Sequence, residues 1–101
     1  MTPDTPFDVP ISGAISDLVR RLYDQAVSDG RRRDFLDAYR TITARLESSA
    51  DTFGEELFAL PRLGVVVRVA LVAPLSVLYS LHPVSRLVTI GDVTYTRPRS
   101  R

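Results

Sequence analysis

Four side chains in the second half of the chain have the chemistry needed to bind and cleave a phosphodiester. Arg68 and Arg97 carry planar guanidinium groups that could hold a phosphate through paired hydrogen bonds. His82 or Tyr95 could move a proton. RNA cleavage needs a base for the 2′-hydroxyl, a cation for the pentavalent phosphate and an acid for the 5′-oxygen, all within hydrogen-bond reach. These four residues are the candidate catalytic residues if the fold brings them together.

Each of these residues also has a structural interpretation. Arg68 could cover apolar sheet with its methylene groups, or pair with an acid from the helices. Tyr95 ends an apolar strand face, which is typical of a tyrosine at the edge of a core with its hydroxyl in water. His82 precedes Pro83 at a predicted turn, where an exposed histidine is common. The sequence leaves both interpretations open.

Several other kinds of site are excluded by composition. The chain has no cysteine and one histidine, so it offers no disulfide, no thiolate nucleophile and no cluster of metal ligands. Its five glycines are scattered and form no phosphate-binding loop. We therefore predict a protein that uses no metal and no cofactor.

Charge is distributed unevenly along the chain. Residues 1–61 hold seven arginines and eleven acids, a net charge of −4, whereas residues 62–101 hold six arginines and one acid, a net charge of +5. All thirteen basic residues are arginine. The basic half predicts a binding surface for a polyanionic or acidic partner, with Arg62, Arg86 and Arg99 around the catalytic candidates.

Helical periodicity dominates the first half of the chain. Ser12 is a suitable N-cap for a helix that extends to Ser28, and Asp29-Gly30 should end it. A second helix is predicted over residues 31–48, opening with an arginine run that is flanked by aspartates and therefore expected to be solvated. The short break between the helices predicts an antiparallel helical hairpin.

Three β-branched runs follow, over Val65–Val72, Leu75–Leu81 and Leu87–Tyr95, and predict an antiparallel meander of three or four strands. In the first run, strand alternation predicts that the odd-numbered apolar residues pack inward while Arg68 emerges on the opposite face. The apolar phase of the third run changes at Gly91-Asp92, which predicts a bulge, with a tight turn as the alternative.

The remaining segments were assigned by composition. Residues 1–6 should be loose, residues 7–11 could form a short edge strand, and residues 98–101 should be an exposed basic tail. Residues 49–64, which include an expected surface pair at Glu55-Glu56, predict a packed loop or a short turn of helix. Residues 7–97 therefore predict one α+β domain. With no leader pattern over the first residues and no apolar stretch near the roughly 20 residues of a membrane span, we expect a cytoplasmic protein.

The order of these elements resembles the RelE/ParE toxin superfamily. The residues that carry the resemblance are Phe7–Ser12 before the first helix, Leu60–Leu63, the strand Val65–Val69 with its arginine, Leu78-Tyr79, and Val88–Val93. The resemblance covers roughly Phe7 to Arg97 and lies in the order of elements and the position of one strand arginine.

Members of that superfamily are toxins neutralised by an antitoxin, and they either cleave mRNA on the ribosome or inhibit DNA gyrase. The resemblance implies that Arg68 corresponds to the strand arginine, and that Tyr95 and Arg97 lie where C-terminal functional residues occur. It implies an antitoxin as partner, with RNA, the ribosome or gyrase as target. The alternative is a non-catalytic interaction module or degenerate relative of the same fold, with exposed strand edges and a homodimer as further expectations. Absent lysine and a nearly neutral charge depart from the nuclease pattern.

Overall fold

The computed structural model describes residues 6–97 and has an α+β fold, in which two helices precede a four-stranded antiparallel sheet. Residues 1–5 of the segment 1–6 that was predicted to be loose, and the predicted basic tail 98–101 with Arg99, lie outside the described residues. The elements are α1 (Gly13–Ser28), α2 (Arg32–Ser49), β1 (Glu55–Leu60), a 3₁₀ turn (Pro61–Leu63), β2 (Val65–Val72), β3 (Leu75–His82) and β4 (Leu87–Tyr95).

Helix α1 begins and ends where its sequence predicts, and α2 begins and ends one residue later than the predicted range of 31–48. The Ser12 hydroxyl accepts a hydrogen bond from the Ile15 N–H at 3.2 Å, so it satisfies an otherwise unpaired donor of the first turn of α1. Gly30 follows the end of α1 with a φ of +73°, a left-handed conformation that favours glycine. The residues of α2 that become buried share one face: Phe35, Ala38, Ile42 and Leu46.

The helices pack on one face of the sheet, whose strand order is β1-β2-β3-β4. Strand β3 supplies the centre of this core, because Leu75, Val77 and Tyr79 are at most 1% exposed. Aromatic rings pack together at the end of this core near the loop between α1 and α2. The centre of the Phe35 ring lies 5.6 Å from that of Tyr23 and 6.4 Å from that of Tyr95. The antiparallel meander is confirmed, and two helices precede it as predicted.

A bulge at Gly91 keeps β4 in the core. Leu78 pairs with Asp92 and Tyr79 pairs with Ile90, so Gly91 is the extra residue of β4. The bulge puts Val93 on the same buried face as Ile90 despite their odd spacing. The predicted bulge is confirmed, and the alternative tight turn is not formed.

The predicted strand over residues 7–11 is not present as a strand. Asp8 forms a single parallel bridge with Leu87, and its N–H donates to the Arg86 carbonyl at 2.8 Å. Phe7 is buried and donates its N–H to the Glu47 carbonyl at 2.7 Å. This segment therefore divides its hydrogen bonds between a helix and a strand, and does not extend one ladder.

The expectation of a packed loop or short helix over residues 49–64 was wrong for its second half. Residues 55–60 form β1, which pairs with β2 through Phe58 opposite Val67 and Leu60 opposite Val65. A register shift between Glu56 and Phe58 marks a bulge that interrupts the alternation of the strand. All six residues of β1 are exposed.

The predicted inward face of β2 was also wrong. Arg68 pairs with Tyr79 of β3, and Ala70 is 4% exposed within the helix-packed core, so Arg68 and Ala70 share the helix-packed face. Leu71, predicted to pack inward, is 73% exposed. Val67 is buried, but it lies outside the helix-packed cluster, on the opposite face. Both the odd-numbered and the even-numbered residues of β2 are mostly apolar, so the pairing of β2 with β3 decides which of them face the helices.

Candidate functional site

Arg68 has a structural role in the free chain. Its Nη2 donates a hydrogen bond to the Gly54 carbonyl, in the segment that leads into β1. The guanidinium is part-buried, and among the described residues its Nε has no hydrogen-bond partner. Arg68 therefore fixes the entry of β1 against β2. The sequence had suggested an acid from the helices as its partner, whereas the partner is a backbone carbonyl.

The surroundings of Arg68 are tightly packed. A Cβ atom at Gly54 would lie 2.8 Å from the Val69 carbonyl carbon, closer than real Cβ contacts allow. Tyr79, opposite Arg68, is fully buried and donates its hydroxyl to the Ala50 carbonyl at 2.8 Å. Desolvation raises the pKa of Tyr79, and Arg68 acts in the opposite direction. This packing leaves Arg68 poorly placed to bind a substrate phosphate.

Tyr95 and Arg97 are brought together by Asp29, a residue that the sequence suggested only as the end of a helix. Arg97 binds the carboxylate through two hydrogen bonds, Nη2 to Oδ1 at 2.9 Å and Nε to Oδ2 at 3.2 Å. The Tyr95 hydroxyl donates to Oδ2 at 2.8 Å. No local signal could have revealed this contact, because Asp29 and Arg97 are 68 residues apart.

The titration of this cluster follows from its hydrogen bonds. The Arg97 and Tyr95 hydrogen bonds lower the pKa of Asp29. Desolvation and the Asp29 carboxylate raise the pKa of Tyr95, so its hydroxyl stays protonated. A tyrosine that serves as a general base needs the opposite shift. The arrangement can hold β4 to the end of α1, and Asp29 already occupies the fork of Arg97 that a phosphate would use.

His82 and the basic candidates Arg62 and Arg86 lie at the other end of the sheet. His82 ends β3 and pairs with Leu87, the first residue of β4. Arg86 has a φ of +53°, and its guanidinium lies 4.0 Å from the centre of the Phe7 ring, a cation–π contact. Arg62 belongs to the exposed 3₁₀ turn that precedes β2.

The four catalytic candidates therefore do not converge. His82 and Tyr95 occupy opposite ends of the β3–β4 ladder, which at about 3.3 Å per residue separates them by roughly 25 Å. Arg68 lies between them on β2 and is engaged with Gly54. Only Tyr95 and Arg97 share a partner. The base, cation and acid of the expected cleavage reaction are not within hydrogen-bond reach of one another.

Several exposed apolar side chains lie instead on the β1 arm, which we define as β1 with its 3₁₀ turn, residues 55–63. Leu57, Phe58 and Leu63 are 53%, 51% and 68% exposed. The arm contributes no residue to the helix-packed core. A surface cavity of about 580 Å³ at its tip is lined by Leu60, Pro61, Arg62 and Leu63. Exposed apolar side chains gathered in one segment are typical of a protein-binding surface.

The outer edge of β1 is the second feature of the arm. β1 is the terminal strand of the sheet, and its outer edge pairs with no other strand among residues 6–97. At the opposite edge of the sheet, β4 is partly covered by the Asp8 bridge to Leu87. An unpaired edge offers backbone N–H and C=O groups to an extended segment of another protein.

The open face of the sheet, opposite the helices, continues this apolar surface. Strand alternation places Phe58, Val67 and Leu78 on that face. Leu71, near the end of β2, lies on the same face. Leu71 and Leu78 are 73% and 36% exposed. Pairing across β3 and β4 places Ser80 opposite Thr89 on the same face. One half of the face is thus apolar, next to the β1 edge, and the other half is polar.

Neither helix within residues 6–97 is both long and apolar enough to cross a membrane. The same part of the chain contains no group of three or more histidine, aspartate or glutamate side chains placed to hold a metal ion. Comparisons of this chain with models of protein families, with curated proteins and with solved structures found no match.

Proposed function

We propose that this chain is a non-catalytic, RelE/ParE-like protein of a bacterial toxin–antitoxin pair that acts by binding another protein through its β1 arm. The observation that carries the proposal is the unpaired edge of β1 next to exposed Leu57 and Phe58. A partner strand added there would gain backbone hydrogen bonds from the edge and apolar contacts from the open face. Such a protein would work in the cytoplasm.

The dispersion of the catalytic candidates supports binding over cleavage. A nuclease needs its phosphate-binding and proton-transfer groups in one place, whereas Arg68 and Arg97 are engaged with Gly54 and Asp29. A binding module needs no such convergence. The resemblance implies an antitoxin as partner and RNA, the ribosome or DNA gyrase as target, and of these an antitoxin segment and DNA gyrase suit a protein-binding arm.

Binding of an extended segment can be tested directly. A phage-displayed library of random linear peptides is selected on the wild-type protein and on Phe58→Lys, with Val84→Lys as the matched control. Val84 is 99% exposed in the β3–β4 turn, outside the arm and separated from β1 by β2. We expect peptides with alternating apolar residues to be enriched on the wild type and the control and lost on Phe58→Lys. Equal enrichment on all three proteins, or none on any, would refute arm binding.

The proposed action as a toxin is tested in two ways: by adding the protein to purified bacterial DNA gyrase, and by expressing it in a bacterium. We expect the wild type to inhibit DNA supercoiling and bacterial growth, Val84→Lys to act like it, and Phe58→Lys to be inactive. mRNA should stay intact during growth arrest. A folded wild-type protein that affects neither gyrase nor growth would overturn the toxin assignment and leave the peptide result to decide on binding alone.

Cleavage of mRNA is the second candidate function. One observation favours it: two of the catalytic candidates, Tyr95 and Arg97, lie close enough to bind the same Asp29 carboxylate. Codon-linked mRNA cleavage that is lost in both Arg97→Ala and Arg68→Ala, with circular dichroism showing that each variant is folded, would establish it. Intact mRNA during growth arrest would exclude it.

A further inference from the structure

The charges of the β1 arm are divided between its two ends. Glu55 and Glu56 begin β1, and Arg62 lies just beyond its end. None of the three forms an ion pair with another residue of the described chain. Two copies of an arm that is acidic where β1 begins and basic in the 3₁₀ turn after β1 attract each other when the strands run antiparallel.

We propose that the protein forms a symmetric dimer through antiparallel pairing of β1 with β1 of a second copy, which joins the two sheets into one of eight strands. This inference rests on the proposed binding role of the arm and names its occupant in the free protein. Antiparallel pairing about a two-fold axis is self-complementary, so one surface serves both copies.

The same charges select the register. With Ala59 on the two-fold axis, Phe58 of each copy pairs with Leu60 of the other. The acidic beginning of each β1 then comes level with the 3₁₀ turn of the other copy, where Glu56 lies nearest to Arg62. A shift by two residues in either direction places the glutamates opposite residues without charge. The preferred register also extends the apolar open face across the dimer axis.

Because the chain has no cysteine of its own, a single introduced cysteine can report which residues lie opposite each other in the dimer. Directly opposed residues of antiparallel strands have Cα atoms about 4.5–5.5 Å apart, within the range of a disulfide. Ala59 is exposed, so Ala59→Cys should fold and should form a disulfide-linked dimer on mild oxidation. Val84→Cys is the control for random collisions, and Leu71→Cys reports face-to-face stacking of two sheets.

Sedimentation equilibrium measures the dimer without a crosslink. We expect Arg62→Glu to weaken dimerisation about tenfold, since symmetry changes two charge pairs at once. The double variant Glu56→Arg, Arg62→Glu should restore the wild-type affinity, because the two charges that face each other across the dimer are exchanged together. Both residues are exposed, so neither change should affect folding.

The outcomes separate this inference from the proposed function. A wild-type dimer with crosslinking at Ala59→Cys alone supports edge pairing. A wild-type monomer at high concentration, crosslinking at Leu71→Cys in place of Ala59→Cys, or no rescue by the double variant would overturn it. A monomer that still enriches peptides in a manner dependent on Phe58 would overturn only the dimer, whereas loss of both results would overturn the binding role of the arm as well.

Discussion

Gly54 provides the sharpest test of how the β1 arm is held on the sheet. Substitution with alanine would bring a Cβ atom 2.8 Å from the Val69 carbonyl carbon and 3.1 Å from the Ala70 Cβ, and still closer to the Val69 oxygen. These atoms belong to backbone and to a buried methyl group, so no flexible side chain can move aside. The segment around Gly54 must shift away from β2.

The expected cost has two parts. Overpacking of a tight site costs about 1–3 kcal/mol. The shift also strains or breaks the hydrogen bond from Arg68 to the Gly54 carbonyl, and a hydrogen bond to a charged group contributes about 1.5–3 kcal/mol. The two parts overlap, so we expect Gly54→Ala to lower the free energy of unfolding by about 3 kcal/mol.

Urea denaturation followed by circular dichroism measures this loss. With a slope of about 2 kcal/mol per M, the midpoint should fall by about 1.5 M. Gly13→Ala is the matched control, because nothing lies within 4 Å of a Cβ atom there, and its effect should stay within about 0.5 kcal/mol. Gly64→Ala, at a φ of +62° with open space around it, should cost about 1 kcal/mol through backbone strain alone. A Gly54→Ala protein as stable as Gly13→Ala would refute the close approach of this segment to β2 and the anchoring role of Arg68.

Two further predictions concern the hydrogen bonds that join the helices to the sheet. Because Arg97 and then Tyr95 hold the pKa of Asp29 below its ordinary value of 3.8, their stabilisation is fully present above that value and is lost as the pH falls through the lower folded pKa. The stability gap between wild type and Asp29→Asn should therefore be widest near neutral pH and close in acid, and a gap independent of pH would contradict the contact. Tyr79→Phe should cost about 1–2 kcal/mol, because it leaves the carbonyl of buried Ala50 without its donor, and thermal unfolding that matches wild type would show that this hydrogen bond is not formed.

The helices and the three long strands could be predicted because their patterns are local. Ser12 marks the beginning of α1, Gly30 follows its end, and the change of phase at Gly91 reveals the bulge of β4. β1 could not be found in this way, because Glu55-Glu56 opens it and a bulge interrupts its alternation. Its strand conformation depends on pairing with β2, which no local pattern contains.

The candidate site was less predictable than the fold, for a related reason. β2 has apolar residues in both phases, so the face that carries Arg68 is set by its pairing with Tyr79 of β3 and cannot be deduced from the strand alone. The contact of Asp29 with Arg97 depends on the packing of nearly the whole chain. Residue types showed which chemistry was available, but only the fold shows which groups are already engaged.

The separation of the β1 arm from the helix-packed core has a consequence for the evolution of this protein. No arm residue contributes to that core, and exposed positions usually tolerate substitution within about 0.5 kcal/mol. The arm can therefore accumulate changes in charge and shape while Tyr79, Leu46 and their neighbours preserve the fold. Related sequences should diverge fastest in the arm, and a new partner preference could arise there without compensating substitutions in the core.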